Sequence, residues 1–460
     1  MRTIRGLHQC LAQLCNRHGA ILDNHCRILP GLRLSSFTST RQRRLGQLVT
    51  MKLDTPQFHS LFTPELKRLV TLFGKYEYEL RIAGGAVRDL IMGSLPSDVD
   101  FATTATPDQM KTMFEKEQIR MINTRGEKHG TITARINDKE NFEVTTLRID
   151  VETDGRHAKV EFTTDWQLDA NRRDLTINAM FLGFDGTIYD YFNGKEDLDK
   201  KRVRFVGDAS ERIKEDYLRI LRYFRFCGRI CEGEITHEDE AISAIRENTD
   251  GLAGISGERI WVELKKIVCG REAGSLVKVM MDVGMAPYIG LPESPQVSEF
   301  QKVWRRCQAL SPQPMTLMSA LLHNEQEVYK LNERLKMSTD ELKLGLFIVQ
   351  HRLECFDPDP LRAAQNLMVD TAGKDTKVKD RICELFKYKG DAEMLKTFST
   401  WTMPKFPVTG YDLVAAKVPK GPVFAKTLNE LRQLWKESNF SLCKEDLLSH
   451  VNDIVEKMKT

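Results

Sequence analysis

The sequence predicts an α+β fold, a mixed sheet in the N-terminal half followed by helices alone, and three observations predict it. Between residues 80 and 205 short β-rich runs alternate with turns, as in LRIAGG, VDFAT, TITARI, FEVTTLRI, VEFTT and TIYDYF. From about 207 to the end the apolar residues fall at helical spacing, as in RIKEDYLRILRYFRFCGRI, RIWVELKKIV, DELKLGLFIVQHRL and TLNELRQLWKES. A length of 460 residues exceeds one ordinary domain, so roughly two to four domain-sized units are expected.

The chain opens on a basic segment. Residues 1–50 hold Arg2, Arg5, Arg17, Arg27, Arg33, Arg41, Arg43 and Arg44 against Asp23 alone, a net of +7. Arginine-rich, serine-containing, acid-poor sequence without a continuous apolar stretch is the composition of a mitochondrial transit peptide, a disordered basic arm being the competing reading. Met51 follows at once, and initiation there would give a cytosolic or nuclear form. From position 51 onward 60 basic residues face 64 acidic ones, a net of −4, so any site for nucleic acid is a local patch rather than a global charge. No apolar stretch approaches the length that spans a bilayer. The ten cysteines are scattered; Cys227 and Cys231 lie near each other but lack further Cys or His at zinc-site spacing, so reduced thiols are expected.

The first chemistry-bearing stretch is Gly84, Gly85, Ala86, Val87, Arg88, Asp89, with Asp98 and Asp100 beyond it. Gly-Gly after the strand LRIA permits a tight turn and close backbone approach to an anion, which Arg88 would also meet. A purely structural glycine turn is the alternative. Asp98 and Asp100 stand two apart, which in an extended strand puts both carboxylates on one face, and two like charges there call for a cation such as Mg²⁺. A solvated turn is the bland reading of PSDVD. Glu143, in NFEVTTLRI, is a candidate third carboxylate, or else a strand residue paired with Arg148. Arg172 and Arg173, opening RRDLTINA, could grip a triphosphate or RNA backbone bidentately, or close a salt-bridged helix start.

The stretch that decides most is EDYLRILRYFR. At 100° per residue Arg219, Arg222, Arg225 and Arg229 fall within about 120° of one helix face, with Asp216 about 60° beyond Arg219. The remaining faces are apolar and want burial, so the stripe is held against something acidic. Asp216 only accepts hydrogen bonds and Arg219 only donates. Cytosine and adenine, each an amino donor beside a ring-nitrogen acceptor, suit that pair; uracil and guanine present the reverse order and leave groups unmatched.

In this order GGAVRD with DVD, RRDLTINA and EDYLRILRYFRF resemble the motifs of the class II CCA-adding enzymes, over most of the chain. DGTIYDYFNGKEDL (185–198) is similar to the family's hinge between head and neck, and GISGERIWVELKKI (254–267) to its helical motif. The resemblance implies a nucleotidyltransferase (polymerase beta-like) head at 51–190, a neck with the nucleotide-reading helix at 191–290, a body at 291–402 and a tRNA-binding tail at 403–460. Residue by residue it implies metal binding by Asp98 and Asp100, phosphate and sugar contacts by Gly85, Arg88 and Arg173, base reading by Asp216 and Arg219, and a pocket completed by Arg222 and Arg225. Mg²⁺ is the implied cofactor, CTP and ATP the substrates and tRNA, cytosolic and mitochondrial, the partner. In the hinge, Phe192, Asn193 and Gly194 replace the double glycine of many bacterial relatives. Leu321, Leu322, His323, Asn324 offers no aspartate beside the histidine, so no attached phosphatase is expected. Within enzymes the rival is a poly(A) polymerase of the same superfamily; outside them, a silent RNA-binding protein on this fold.

Overall fold

The computed structural model describes residues 48–122, 124–154, 157–233, 235–354, 359–371 and 375–458, so the basic leader lies outside the described residues up to position 47. The strands are β1 (Val49–Lys52), β2 (Leu80–Ala83), β3 (Asp100–Thr103), β4 (Arg120–Ile122), β5 (Thr131–Ile136), β6 (Glu140–Thr146), β7 (Arg148–Asp154), β8 (His157–Phe162), β9 (Phe181–Leu182) and β10 (Thr187–Asp190). Eight form one sheet in the order β1-β10-β9-β2-β3-β6-β5-β4, while β7 and β8 pair separately. All neighbours run antiparallel except β3 and β6, whose parallel register sets Phe101 against Val144 and makes the sheet mixed. β1 starts at Val49, two residues ahead of Met51, and Lys52 reaches across to Asp185 at 2.6 Å.

Helices Pro64–Lys75 and Pro107–Lys116 cover the sheet. Each starts with threonine at the N-cap and proline at the first position, which satisfies a free amide and pre-sets φ. Each buries one apolar stripe, Leu66, Leu69, Leu72 and Phe73 in the first and Met110, Met113 and Phe114 in the second, joined by the edge contact of Phe73 and Phe114 at 6.1 Å. Among the described residues no helix is long and apolar enough to cross a membrane.

The helical region departs from the periodicity in one place that matters. Apolar spacing predicts a single helix through Arg212–Ile230; the structure divides it into Ala209–Glu215 and Leu218–Ile230, with Asp216 extended at φ −156° and ψ 105° between them. Asp216 Oδ1 accepts from the Leu218 amide at 3.1 Å, the capping bond that aspartate makes at the expense of helix continuation. Asp216 therefore stands at the mouth of the arginine helix rather than on its face.

The hinge-like segment is tightly pinned. The Asp190 carboxylate accepts from the amides of Phe192, Gly194 and Lys195 at 3.1, 3.0 and 2.9 Å, and Asn193 sits in the left-handed region at φ 60°. Buried Asp197 takes the Thr176 hydroxyl at 2.6 Å and the guanidiniums of Arg202 and Arg204 at 2.7 and 2.9 Å. A main core runs from Phe58 through Leu198, Ile260 and Leu331 to Tyr388, and the tail has a core of its own around Leu413, Leu431, Trp435 and Leu447.

Candidate active site

β2 ends in Gly84, whose φ of 67° and ψ of −122° suit only glycine, and whose amide donates to the Met180 carbonyl at 3.1 Å. A β-carbon there would stand 2.8 Å from Arg173 Nη1, so that guanidinium lies flat against the turn. The short helix Gly85–Ile91 follows and brings Arg88 inward, buried. Its Nε and Nη2 donate to Asp89 Oδ1 at 2.9 and 2.8 Å, Nη1 donates to Asn178 Oδ1, and Phe226 lies under the guanidinium at 4.8 Å. Arg229 reaches the same Asp89 from the arginine helix at 2.9 Å, tying that helix to the sheet-bearing part.

β3 begins at Asp100, and Asp98 lies just ahead of it. Among the described residues Asp98 accepts only from the Ser97 hydroxyl, at 3.1 Å, and Asp100 has no hydrogen-bond partner. The surrounding walls desolvate the Asp100 carboxyl and hold it above the usual carboxylate range; Arg173 pulls it down and Asp98 adds to the rise. It remains open to solvent in the cleft, so the shift comes from the protein mass crowded round it rather than from closure. Two carboxylates that repel each other and have no ion-pair partner among the described residues fit a divalent cation.

The wall opposite is guanidinium. Arg173 donates to buried Asp169 at 3.1 Å and to the Asn178 carbonyl at 3.3 Å, and Arg172 donates to Asp169 at 2.8 Å. Burial pushes the Asp169 carboxyl up, but Arg173 and Arg172 outweigh it and hold the group below its ordinary value. The arginine helix contributes a ladder of pairs: Arg219 with Glu215 at 2.5 Å, Arg222 with Asp174 at 2.5 Å, Arg225 with Glu263 at 2.9 Å and Arg229 with Asp89. Arg219 also donates to the carbonyls of Arg212 and Arg172, both at 3.0 Å. The Arg219 amide donates to the Asp216 carbonyl at 2.9 Å, but the two side chains do not bond each other; Asp216 Oδ2 accepts from Arg259 at 2.7 Å.

These groups meet in one cavity of about 900 Å³, toward the upper end of the roughly 300–1,000 Å³ of ligand sites. Ten cationic side chains and five carboxylates line it, a surplus of positive charge that suits phosphates.

A family model described as the poly(A) polymerase head domain matches residues 80–204, and one described as a probable RNA and SrmB-binding site of polymerase A matches 236–295. The mitochondrial CCA tRNA nucleotidyltransferases 1 of Mus musculus and Homo sapiens are each 55% identical to this chain over 88% of it and 93% of their own length. The chain belongs to the CCA tRNA nucleotidyltransferases. Its fold also matches the crystal structure of the Bacillus stearothermophilus CCA-adding enzyme in complex with CTP, with a TM-score of 0.69 and 23% identity over 88% of this chain and 99% of that one. Nucleotidyltransferases of this family generally use a divalent metal, and the Asp98 and Asp100 pair is the donor set here that fits one.

Of the residues singled out from the sequence of this nucleotidyltransferase, Gly85, Arg88, Asp98, Asp100, Arg173, Asp216, Arg219, Arg222 and Arg225 all line the cavity. Glu143 does not. It is exposed on β6 opposite Thr133, outside the cavity lining, and Arg148 turns to the His129 carbonyl and to Asp150 instead. Among the described residues no group of three or more His, Cys, Asp or Glu is placed to hold a metal. EKHGTI at 127–132 and the Thr409–Asp412 stretch also lie off the cavity; Asp412 accepts from the amide and hydroxyl of Thr409, both at 2.7 Å, as cap chemistry. Sequence reasoning missed Arg259, Lys266 and Arg271. For Arg259 and Lys266 the available signal was that GISGERIWVELKKI carries three cations against two glutamates; Arg271 lies beyond that stretch and had none.

Proposed function

We propose that this enzyme adds C, C and A in turn to the 3′ end of tRNA without a template, taking CTP and ATP and releasing pyrophosphate. The observation that carries the reading is the meeting, in one cavity, of the Asp98 and Asp100 carboxylates, a guanidinium wall and the Asp216 and Arg219 edge. Asp98 and Asp100 would hold Mg²⁺, which when bound lowers the pKa of the tRNA 3′-hydroxyl and neutralises charge at the α-phosphate and the departing pyrophosphate. Around that centre the protein's own part is positioning. The Gly84–Gly85 turn lets backbone approach a phosphate, and Arg88 and Arg173 keep positive charge at fixed places because Asp89, Asn178 and Asp169 leave them no freedom to swing. Arg222 and Arg225 close the pocket behind the nucleotide. Asp216 accepts from an exocyclic amine while Arg219 donates to a ring nitrogen, which selects C and A. Glu143, outside the cavity, takes no part.

The units follow the same reading: a leader at 1–50, a catalytic head at 51–190, a neck at 191–290, a body at 291–402 and a tail at 403–460 that holds tRNA. The leader delivers the enzyme to the mitochondrial matrix, a reading supported to the level of the organelle by the word mitochondrial in the names of the mouse and human relatives, and initiation at Met51 supplies cytosol and nucleus. Met51→Ala should then deplete cytosolic protein; unchanged cytosolic protein overturns that second form.

The experiment for the activity incubates protein starting at Met51, Mg²⁺ and tRNA lacking its CCA with each labelled nucleotide alone and together, then sequences the product ends. Ordered C, C, A that stops is expected, and Asp100→Ala should abolish it while sparing tRNA binding. Long A tails would mean a poly(A) polymerase, and tight binding without extension a silent RNA-binding protein.

A further inference from the structure

The charge pairing on the cavity wall is uneven. Eight of its ten cations are each held by a carboxylate, the most exposed of the eight being Arg229, held by Asp89. Two are not. Lys266 makes no hydrogen bond or ion pair with any described residue, and Arg271 donates only to the Arg229 carbonyl, at 2.8 Å. Both are exposed at the rim, Lys266 in the last turn of the helix Gly257–Val268 and Arg271 just past its end. A paired guanidinium offers a ligand little net charge, whereas these two offer all of theirs.

Their place along the cavity narrows what they meet. Arg229, to which Arg271 is tied, lies ten residues from Arg219 on one helix, about 15 Å at 1.5 Å per residue. The incoming nucleotide, with its base at the Asp216 and Arg219 end, is served by the inner, paired arginines. An RNA primer must bring its 3′-hydroxyl into the same cavity and leave across the rim, and its repeating backbone charge needs cations there. The segment that matches a probable RNA-binding region contains both residues.

We propose that Lys266 and Arg271 form a subsite for backbone phosphates of the RNA strand just behind its 3′ terminus. The proposal rests on the reading of the cavity as a site of nucleotidyl transfer to RNA. Phosphate contacts of this kind give affinity and register without reading sequence.

The test measures equilibrium binding of tRNA lacking its CCA, with no nucleotide present, across a salt series, for the wild type and for the double variant Lys266→Ala, Arg271→Ala. The double variant should raise Kd about tenfold and flatten the slope of log K against log salt by about 1.4, two contacts at roughly 0.7 each for single-stranded RNA. Its KM for CTP, and its kcat at saturating RNA, should stay within about twofold of wild type. The charge-keeping double variant Lys266→Arg, Arg271→Lys should restore binding. A raised KM for CTP with unchanged RNA affinity would reassign the pair to the triphosphate and overturn the proposal, and unchanged values throughout would reduce the two to solvated rim charges. Because the binding arm needs no turnover, a wild type that binds tRNA but fails to extend it would refute the function while leaving the subsite standing.

Discussion

At the scale of single residues, selectivity depends on how firmly two side chains are held. The Asp216 carboxylate is fixed between the Leu218 amide and Arg259, and the Arg219 guanidinium between Glu215 and two backbone carbonyls, so neither side chain relies on the other for its orientation. A site discriminates through groups left unmatched by the wrong base, and a carboxylate free to rotate away escapes that cost. If Asp216 reads the base as proposed, Arg259 acts through it as a positioning residue. Arg259→Ala should lower kcat/KM for CTP by about tenfold or more and narrow the preference for CTP over UTP, with Arg259→Lys recovering part of each. An equal loss for both nucleotides, leaving the ratio unchanged, would make Arg259 a structural brace only. That Asp216 and Arg219 belong at the cavity was legible in the sequence because an acceptor and a donor stand three residues apart in EDYLR. Arg259 was not, because it stands 43 residues away and its partner is set by tertiary packing.

At the scale of elements, what could be read was whatever the chain settles locally. The β2 strand, its Gly-Gly turn and the following helix announce themselves through a short, mostly apolar run and a conformation only glycine adopts readily. The break at Asp216 was hidden because apolar periodicity runs straight through it while a side-chain cap decides the backbone. Glu143 was undecidable for a similar reason: a strand fixes alternation but not which edge of the sheet borders the cavity. The segment 190–197 shows the limit from the other side. Its sequence suggests a hinge, yet Asp190 ties three consecutive-turn amides and Gly194 packs so closely that a β-carbon would stand 2.3 Å from the Thr176 carbonyl oxygen. Gly194→Ala must push either its own turn or the Thr176–Asn178 turn, which carries Asn178 and with it the seat of Arg88. It should cost about 3 kcal/mol in urea unfolding and lower activity more than a surface substitution of the same size. Wild-type stability in that variant would show the segment to be loose enough to yield.

At the scale of the molecule, the arrangement of cores determines what unfolds together. The main core crosses positions 190 and 290 without interruption, so the sheet and the helices that together line the cavity also share the apolar contacts that support it. The tail differs. Its own core, around Leu413, Leu431, Trp435 and Leu447, meets the preceding helices among the described residues through contacts that include Val369 packed against the core, Lys436 with Asp370 at 2.9 Å, Arg362 over Phe440 at 4.9 Å and bonded to Asn439, and Trp401 against Phe440 at 5.8 Å. The Lys436 pair is only partly buried, and ion pairs of that kind contribute little. A chain ending at Thr402 should therefore keep its main calorimetric transition within about 2 °C of the full chain and lose only a separate, smaller one, since shifts of that size correspond to less than about 1 kcal/mol in a protein this large. It should also keep its affinity for CTP, because no residue of the cavity lies beyond Arg271. Collapse of the main transition on truncation would mean that the tail buttresses the body, and the same cut would then be expected to weaken nucleotide binding as well, through the core that links the two.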